Sequence, residues 1–309
     1  MNNKLKGIIF TLIGGSLWGF SGVCGQYLFE IKNIEPQWLS AWRLFASGLM
    51  ILICLFPSGL MILICLFPKE KKEIFNVFSK DIIIPVLIFS FVSVMGCQYS
   101  YFMAIYYSNS ATATVLEYIA PALVMLFTCI SMKKKPSGIQ FVTLLCAMSG
   151  VFIMTTGGNI GSLSISTKAL FWGLLGGLTY AIYTIQSPSL SSKCGVLHML
   201  GWGNLIGSIP LLIMVHSHIF DCSIDIQFLL AFLGTTVLGS IVSFGVFIKG
   251  CQLAGSVTGS LCACIEPLSS AIISYLWLGT QLKTTDLIGL VLIVVTVVIL
   301  TLDKGKVKK

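Results

Sequence analysis

The chain has 309 residues, of which 56% are hydrophobic and only 10% charged, with a mean hydropathy of +0.96 and a formal net charge of +8. Soluble domains carry about 25% charged residues, so this composition excludes an ordinary soluble fold and points to a polytopic membrane protein. The 11 cysteines fall mostly in apolar runs without metal-ligand spacing, so they read as small buried hydrophobes, and no metal or other cofactor is expected. Cys222, in a polar loop, is the exception.

The first apolar run follows Lys4 and Lys6, as a secretory signal would. It exceeds 20 residues, lacks a small-residue cleavage site and precedes many more apolar runs, so it is read as a retained first helix. With ~20 residues per span, the expected fold class is an all-α integral membrane protein. Its helices are predicted at 7–29, 37–56, 82–105, 110–132, 137–156, 168–187, 196–216, 226–248, 256–279 and 285–302. Ten crossings place both termini on one side. If that side is the cytoplasm, inner segments hold 15 of the 19 basic residues, outer loops hold Lys32, Lys168 and Lys283, and Arg43 lies within predicted helix 2. This bias satisfies the positive-inside rule and predicts cytoplasmic termini in the cell membrane. It also accounts for the net charge without a nucleic-acid partner.

The two halves resemble each other. Leu12-Ile-Gly14-Gly15-Ser-Leu-Trp18 in helix 1 aligns with Leu174-Leu-Gly176-Gly177-Leu-Thr-Tyr180 in helix 6, at an offset of 162. Glu117-Tyr118-Ile119-Ala120-Pro121 in helix 4 is echoed by Ala263-Cys264-Ile265-Glu266-Pro267 in helix 9, at an offset of 146. Five helices per half is odd, so residues 1–157 and 158–309 would form an inverted repeat, a plan typical of secondary transporters with a midplane site. Much of the difference between the offsets has a visible source: Ser47–Pro57 reads SGLMILICLFP, and residues 58–68 repeat it letter for letter. A single helix through both copies would outrun a ~30 Å hydrocarbon core, so the second copy is expected to bend into the inner interface.

Three charges fall well inside predicted spans, away from their ends: Arg43, Glu117 and Glu266. Each costs ~2.5–3.5 kcal/mol to insert, so each marks a candidate functional position. Helical rise puts Arg43 ~9 Å and Glu117 ~10 Å below the outer surface. Equal depth and opposite sign allow an ion pair locking helix 2 to helix 4, or a substrate contact at Glu117. Glu266 lies near the midplane with no basic residue at its level. A carboxyl there suits proton coupling or capture of a cation, or it stays neutral and hydrogen-bonded beside Pro267. Candidate cavity residues around these acids are Trp18 and Ser21 in helix 1, Gln98, Tyr99 and Tyr101 in helix 3, Tyr118 in helix 4, and Tyr180 and Tyr183 in helix 6. Aromatic rings beside a carboxylate favour an ammonium group.

Together, Gly15-x-x-Trp18-Gly19, Arg43, Ala111-Thr-Ala113…Pro121 and Ser256…Ile265-Glu266-Pro267-Leu268 resemble the EamA-type transporters of the drug/metabolite transporter superfamily, across essentially the whole chain. The resemblance implies a central cavity lined mainly by helices 1, 3, 4, 6, 8 and 9. It also implies transport of amino acids, other metabolites or drugs, with export common and uptake of choline-like amines known. The Gly-Glu step that often follows helices 4 and 9 in the family is replaced here by Ser131-Met132-Lys133 and Gly279-Thr280-Gln281.

The expectation is a secondary transporter, not an enzyme, moving a small polar or cationic metabolite such as an amino acid or amine by alternating access. Its partners would be the substrate, protons and the lipid bilayer, and it would act as a monomer or homodimer. Glu266 would be the coupling or binding carboxylate. No nucleotide-binding motif is present. An enzyme acting on lipid-linked substrates would have to use His216, His218, Asp221 and Asp225, and a channel would need a filter or charge ring that the sequence lacks.

Overall fold

The computed structural model describes residues 3–55, 74–108, 110–133, 135–159, 161, 166–216, 224–278 and 284–302. All of the second copy of the tandem repeat, and its predicted bend, lie outside them. So do Cys222, His218 and Asp221. The described residues are overwhelmingly helical and contain no β-strand. The helices are α1 (Asn3–Glu30), α2 (Pro36–Leu55), α3 (Ile83–Tyr107), α4 (Ser110–Glu117), α5 (Ala120–Met132), α6 (Gly138–Thr156), α7 (Thr167–Cys194), α8 (Val196–Met214), α9 (Ile226–Ala254), α10 (Ser256–Cys262), α11 (Ile265–Leu278) and α12 (Thr284–Leu302). A short 3-10 turn, Ile74–Phe78, precedes α3.

Among the described residues, six segments are long and apolar enough to cross a bilayer: α1, α2, α3, α8, α9, and Ser256–Trp277, which takes in α10 and most of α11. α5 is a shorter apolar helix. Large apolar side chains such as Ile53, Leu126, Phe127, Ile130, Phe141, Phe171 and Leu230 are exposed around the bundle, the surface that a hydrocarbon solvent demands.

Local chemistry sets the ends. Ser137 and Gln140 form a reciprocal capping box at α6, Ser166 caps α7 and Asp225 caps α9 through the Phe228 N–H. Gly195 and Gly255, at φ of 92° and 86°, turn the chain between α7 and α8 and between α9 and α10.

Predicted helices 4 and 9 are each broken. α4 stops at Glu117, Tyr118-Ile119 form a turn, and α5 restarts with Pro121 in its first turn. α10 stops at Cys262, Ala263-Cys264 turn, and α11 restarts as Ile265-Glu266-Pro267. Proline has no N–H and fits a first turn, where no intrahelical bond is lost.

Helices α3 and α9 each contain a π-helical stretch, Phe89–Gly96 and Gly234–Val242. These also lie about 146 residues apart. Such stretches widen the turn and concentrate at functional positions.

Packing pairs α1 with α9, α3 with α7, α2 with α8, α6 with α12, α1 with α11, and α7 with α4 and α5. Glycines permit the closest approaches. A Cβ on Gly19 of α1 would lie 2.6 Å from the Glu266 carbonyl oxygen, and one on Gly177 of α7 would lie 3.0 Å from that of Glu117. Each half's first glycine-rich helix therefore lies against the other half's broken helix.

Candidate functional site

A small cavity lies where these helices converge. It is lined by Trp18, Ser21 and Gly22 from α1, Arg43 from α2, and Cys97, Gln98, Tyr101 and Phe102 from α3. Glu117 of α4, Tyr180 of α7, Phe244 of α9 and Glu266 of α11 complete the wall.

The breaks explain how the two acids reach it. Glu117 is the last residue of α4 and Glu266 lies in the first turn of α11, so each sits beside an interrupted stretch of backbone. Glu117 is buried and accepts a long hydrogen bond from Cys97 Sγ at 3.8 Å. Glu266 is half-buried. The two carboxyl groups are within electrostatic range of each other. The Tyr118 hydroxyl donates to the Ala263 carbonyl at 3.0 Å and ties one break to the other.

Arg43 is 5% exposed and is held by α9. Its Nε donates to Ser240 Oγ at 2.5 Å and its Nη2 to the Gly239 carbonyl at 3.0 Å, both within the π-helical stretch. The guanidinium also lies 5.4 Å from the Phe102 ring centre, a cation–π contact. The expected ion pair between Arg43 and Glu117 does not form. The carboxylate within electrostatic range of Arg43 is Glu266, which the sequence left without a basic neighbour. Lateral helix order, which a linear sequence does not state, decides who meets whom.

Trp18 packs edge-on to Tyr180 at 5.8 Å and to Phe244 at 4.9 Å, and lies 4.7 Å from Phe247. The structure thus brings together Trp18, Ser21, Arg43, Gln98, Glu117, Tyr180 and Glu266. Tyr101 joins them. Three candidates are left out. Tyr118 is spent on the Ala263 carbonyl. Tyr99, adjacent to Gln98, points elsewhere on α3, edge-on to Trp172 at 5.3 Å with its hydroxyl near Met214, because neighbours of a lining residue on an α-helix face other directions. Tyr183 shares a helix face with Tyr180 but lies one turn further along, fully buried, stacked on Tyr180 and against Phe244.

Cys97, Phe102, Phe244 and Gly22 also line the wall and were not anticipated. Phe244 had a signal in the sequence: it stands opposite Gln98 at the 146-residue offset. No such signal marked Phe102. Among the described residues no group of histidine, cysteine and acidic side chains is arranged to hold a metal. Of the alternative polar cluster, Asp225 is committed to capping α9 and to an ion pair with Lys32 at 2.5 Å. His216 contacts the Ile213 carbonyl.

A helical bundle with exposed apolar sides and an internal cavity lined by buried charges has the features of a membrane transport protein. The sequence profile of the EamA-like transporter family matches residues 5–156 and 167–302, and the chain belongs to that family. It is 33% identical over 308 residues to an uncharacterized inner membrane transporter, YicL, of Salmonella typhimurium, covering 99% of this chain and 98% of that protein. An uncharacterized transporter of Archaeoglobus fulgidus is 26% identical over 69% of this chain and 73% of its own length. A solved protein structure superposes with a TM-score of 0.76 over 99% of this chain and all of its own, at 13% identity, a likeness of fold.

Proposed function

We propose that the protein is a secondary transporter that moves a small polar or cationic metabolite, an amino acid or an amine, by alternating access around this cavity, with protons as the coupling ion. The observation that carries the proposal is the placement of Glu117 and Glu266, one from each helix break, in a single cavity with Arg43. Two carboxyl groups within electrostatic range in a desolvated site disfavour simultaneous ionisation, which makes proton uptake sensitive to a neighbouring cation.

The proposed architecture is ten crossings, with α4–α5 and α10–α11 each counted as one broken span, arranged as an inverted repeat of residues 1–157 and 158–309 with both termini cytoplasmic. Three features support it. The two breaks and the two π-helical stretches recur at about the same offset. The helix pairings exchange with one another when the halves are exchanged: α1 with α9 becomes α7 with α3, and α1 with α11 becomes α7 with α4 and α5. The lysine distribution gives the orientation.

A quaternary amine is the second substrate reading, favoured by the aromatic faces of Trp18, Tyr180 and Phe244 near two acids. Both readings are tested by counterflow in proteoliposomes with labelled amino acids and quaternary amines under an imposed pH gradient. Saturable, gradient-dependent exchange supports the proposal. Flux that never saturates indicates a channel, and no flux beyond protein-free liposomes rejects transport of these classes.

A further inference from the structure

The carboxylates do not account for all the polar chemistry of the cavity. Trp18 Nε1, Tyr180 Oη and both amide atoms of Gln98 are buried and lack a hydrogen-bond partner in the protein. These side chains are 8, 8 and 5% exposed, and all three line the cavity. An unpaired buried polar group costs about 1–3 kcal/mol. Three on one wall therefore favour a cargo that completes them.

The chemistry of that cargo follows from the atoms. An indole N–H only donates, so whatever pairs with Trp18 is an acceptor. Gln98 Nε2 and the Tyr180 hydroxyl supply two further donors from α3 and α7. Arg43 spends its Nε proton and one Nη2 proton on Ser240 and Gly239, and its remaining Nη protons stand beside this uncharged set as a charged donor. Ionised Glu117 and Glu266 accept hydrogen bonds only. The cavity thus has a donor set carrying no formal charge and a separate acidic set.

We propose that Trp18, Gln98 and Tyr180 form the receptor for a carboxylate or carbonyl oxygen of the substrate, whose cationic end faces Glu117 and Glu266. This rests on the transport reading above and narrows it: a bare amine satisfies one set, whereas a molecule with an ammonium group and an acceptor oxygen satisfies both. Gln98 is the specificity-determining residue of the three, because its Nε2 donor pairs with the oxygen that a bare amine lacks.

The test measures ligand-induced stabilisation of the purified protein in detergent, using neutral α-amino acids each paired with its decarboxylated amine. The wild type should bind at least one amino acid about tenfold more tightly than its amine, equivalent to ~1.4 kcal/mol. Gln98→Leu and Tyr180→Phe should reduce that preference to about twofold or less. Gln98→Glu, which keeps the shape and polarity of the side chain, should reverse it by repelling the carboxylate. Equal binding of amine and amino acid by the wild type, or preference retained in the three variants, overturns the proposal. If gradient-driven amine uptake persists in that case, the transport reading survives without this receptor. If no pair is bound and none is transported, both fall.

Discussion

Glu117 and Glu266 face one cavity from two different helix breaks, and each backbone is pressed against the glycine-rich helix of the opposite half. Glu117 is paired with Cys97 on α3. Glu266 is half-buried and in electrostatic range of Arg43. The residues therefore differ in surroundings despite their matched origins, and they should differ in function. Glu266→Gln should lower proton-driven uptake in proteoliposomes by about tenfold or more, the equivalent of ~1.4 kcal/mol in the coupled step, and flatten its pH dependence. Glu117→Gln should weaken substrate binding and leave a pH response. An unchanged pH profile in Glu266→Gln would sink the coupling role.

Arg43 is anchored by α9, so its energetic partner is Ser240 and not Glu117. Ser240→Ala removes one hydrogen bond to a charged group and should cost roughly 1.5–3 kcal/mol of stability, measured by denaturant unfolding in mixed micelles. Arg43→Gln and Glu117→Gln should be additive to within about 0.5 kcal/mol in a double-mutant cycle, since no direct pair links them. A large coupling energy would restore the ion pair and contradict the observed bonding.

The close helix contacts at Gly19 and Gly177 leave no room for a side chain. A Cβ on Gly177 would approach Ile119 Cγ2 to 2.5 Å, and one on Gly19 would come within 2.8 Å of the Ser270 amide nitrogen. Gly19→Val and Gly177→Val should each destabilise the protein by about 1–3 kcal/mol or more through overpacking, and should damage transport to similar extents. Loss confined to one of the two would argue against equivalent roles for α1 and α7.

At the end of the bundle where α1 meets α9, Lys32 pairs with Asp225 and the Tyr27 hydroxyl donates to Gln227. The hydrogen bond from Lys32 holds Asp225 below its ordinary carboxylate value, and the same bond raises the Lys32 ammonium. The Asp225 contribution is present above ~3.9, its unfolded value, and is lost as pH falls through the lower folded value. The Lys32 contribution is present below ~10.4 and is lost as pH rises through the higher folded value. The melting temperature of Lys32→Met should thus fall below wild type between these limits and converge with it at both extremes. A difference independent of pH would show that the lysine stem, not the charge pair, matters.

Much of this protein is legible in one dimension. Hydropathy alone identified a membrane-embedded helical chain, because apolar runs of ~20 residues fit a spanning helix and not the ~10-residue strands of a barrel. Spacing marked Glu117-x-x-x-Pro121 and Glu266-Pro267 as a matched pair, since charge and proline are both costly within a span. Trp18, Ser21, Gln98 and Tyr180 were reached by position and polarity, and all four line the cavity.

Three-dimensional packing decided the rest. Residue types placed Arg43 and Glu117 at one depth, yet the guanidinium bonds the π-helical stretch of α9, a partner about 197 positions away in the chain. Tyr99 resembles a lining residue in type but has the wrong rotation about its helix axis, and Tyr183 has the right rotation but lies one turn beyond Tyr180, which covers it. Sequence determined which residues are too costly to be in the membrane without a purpose. Only the folded bundle determined which of them meet, because contact between helices depends on lateral order and azimuth, and neither is written in hydropathy.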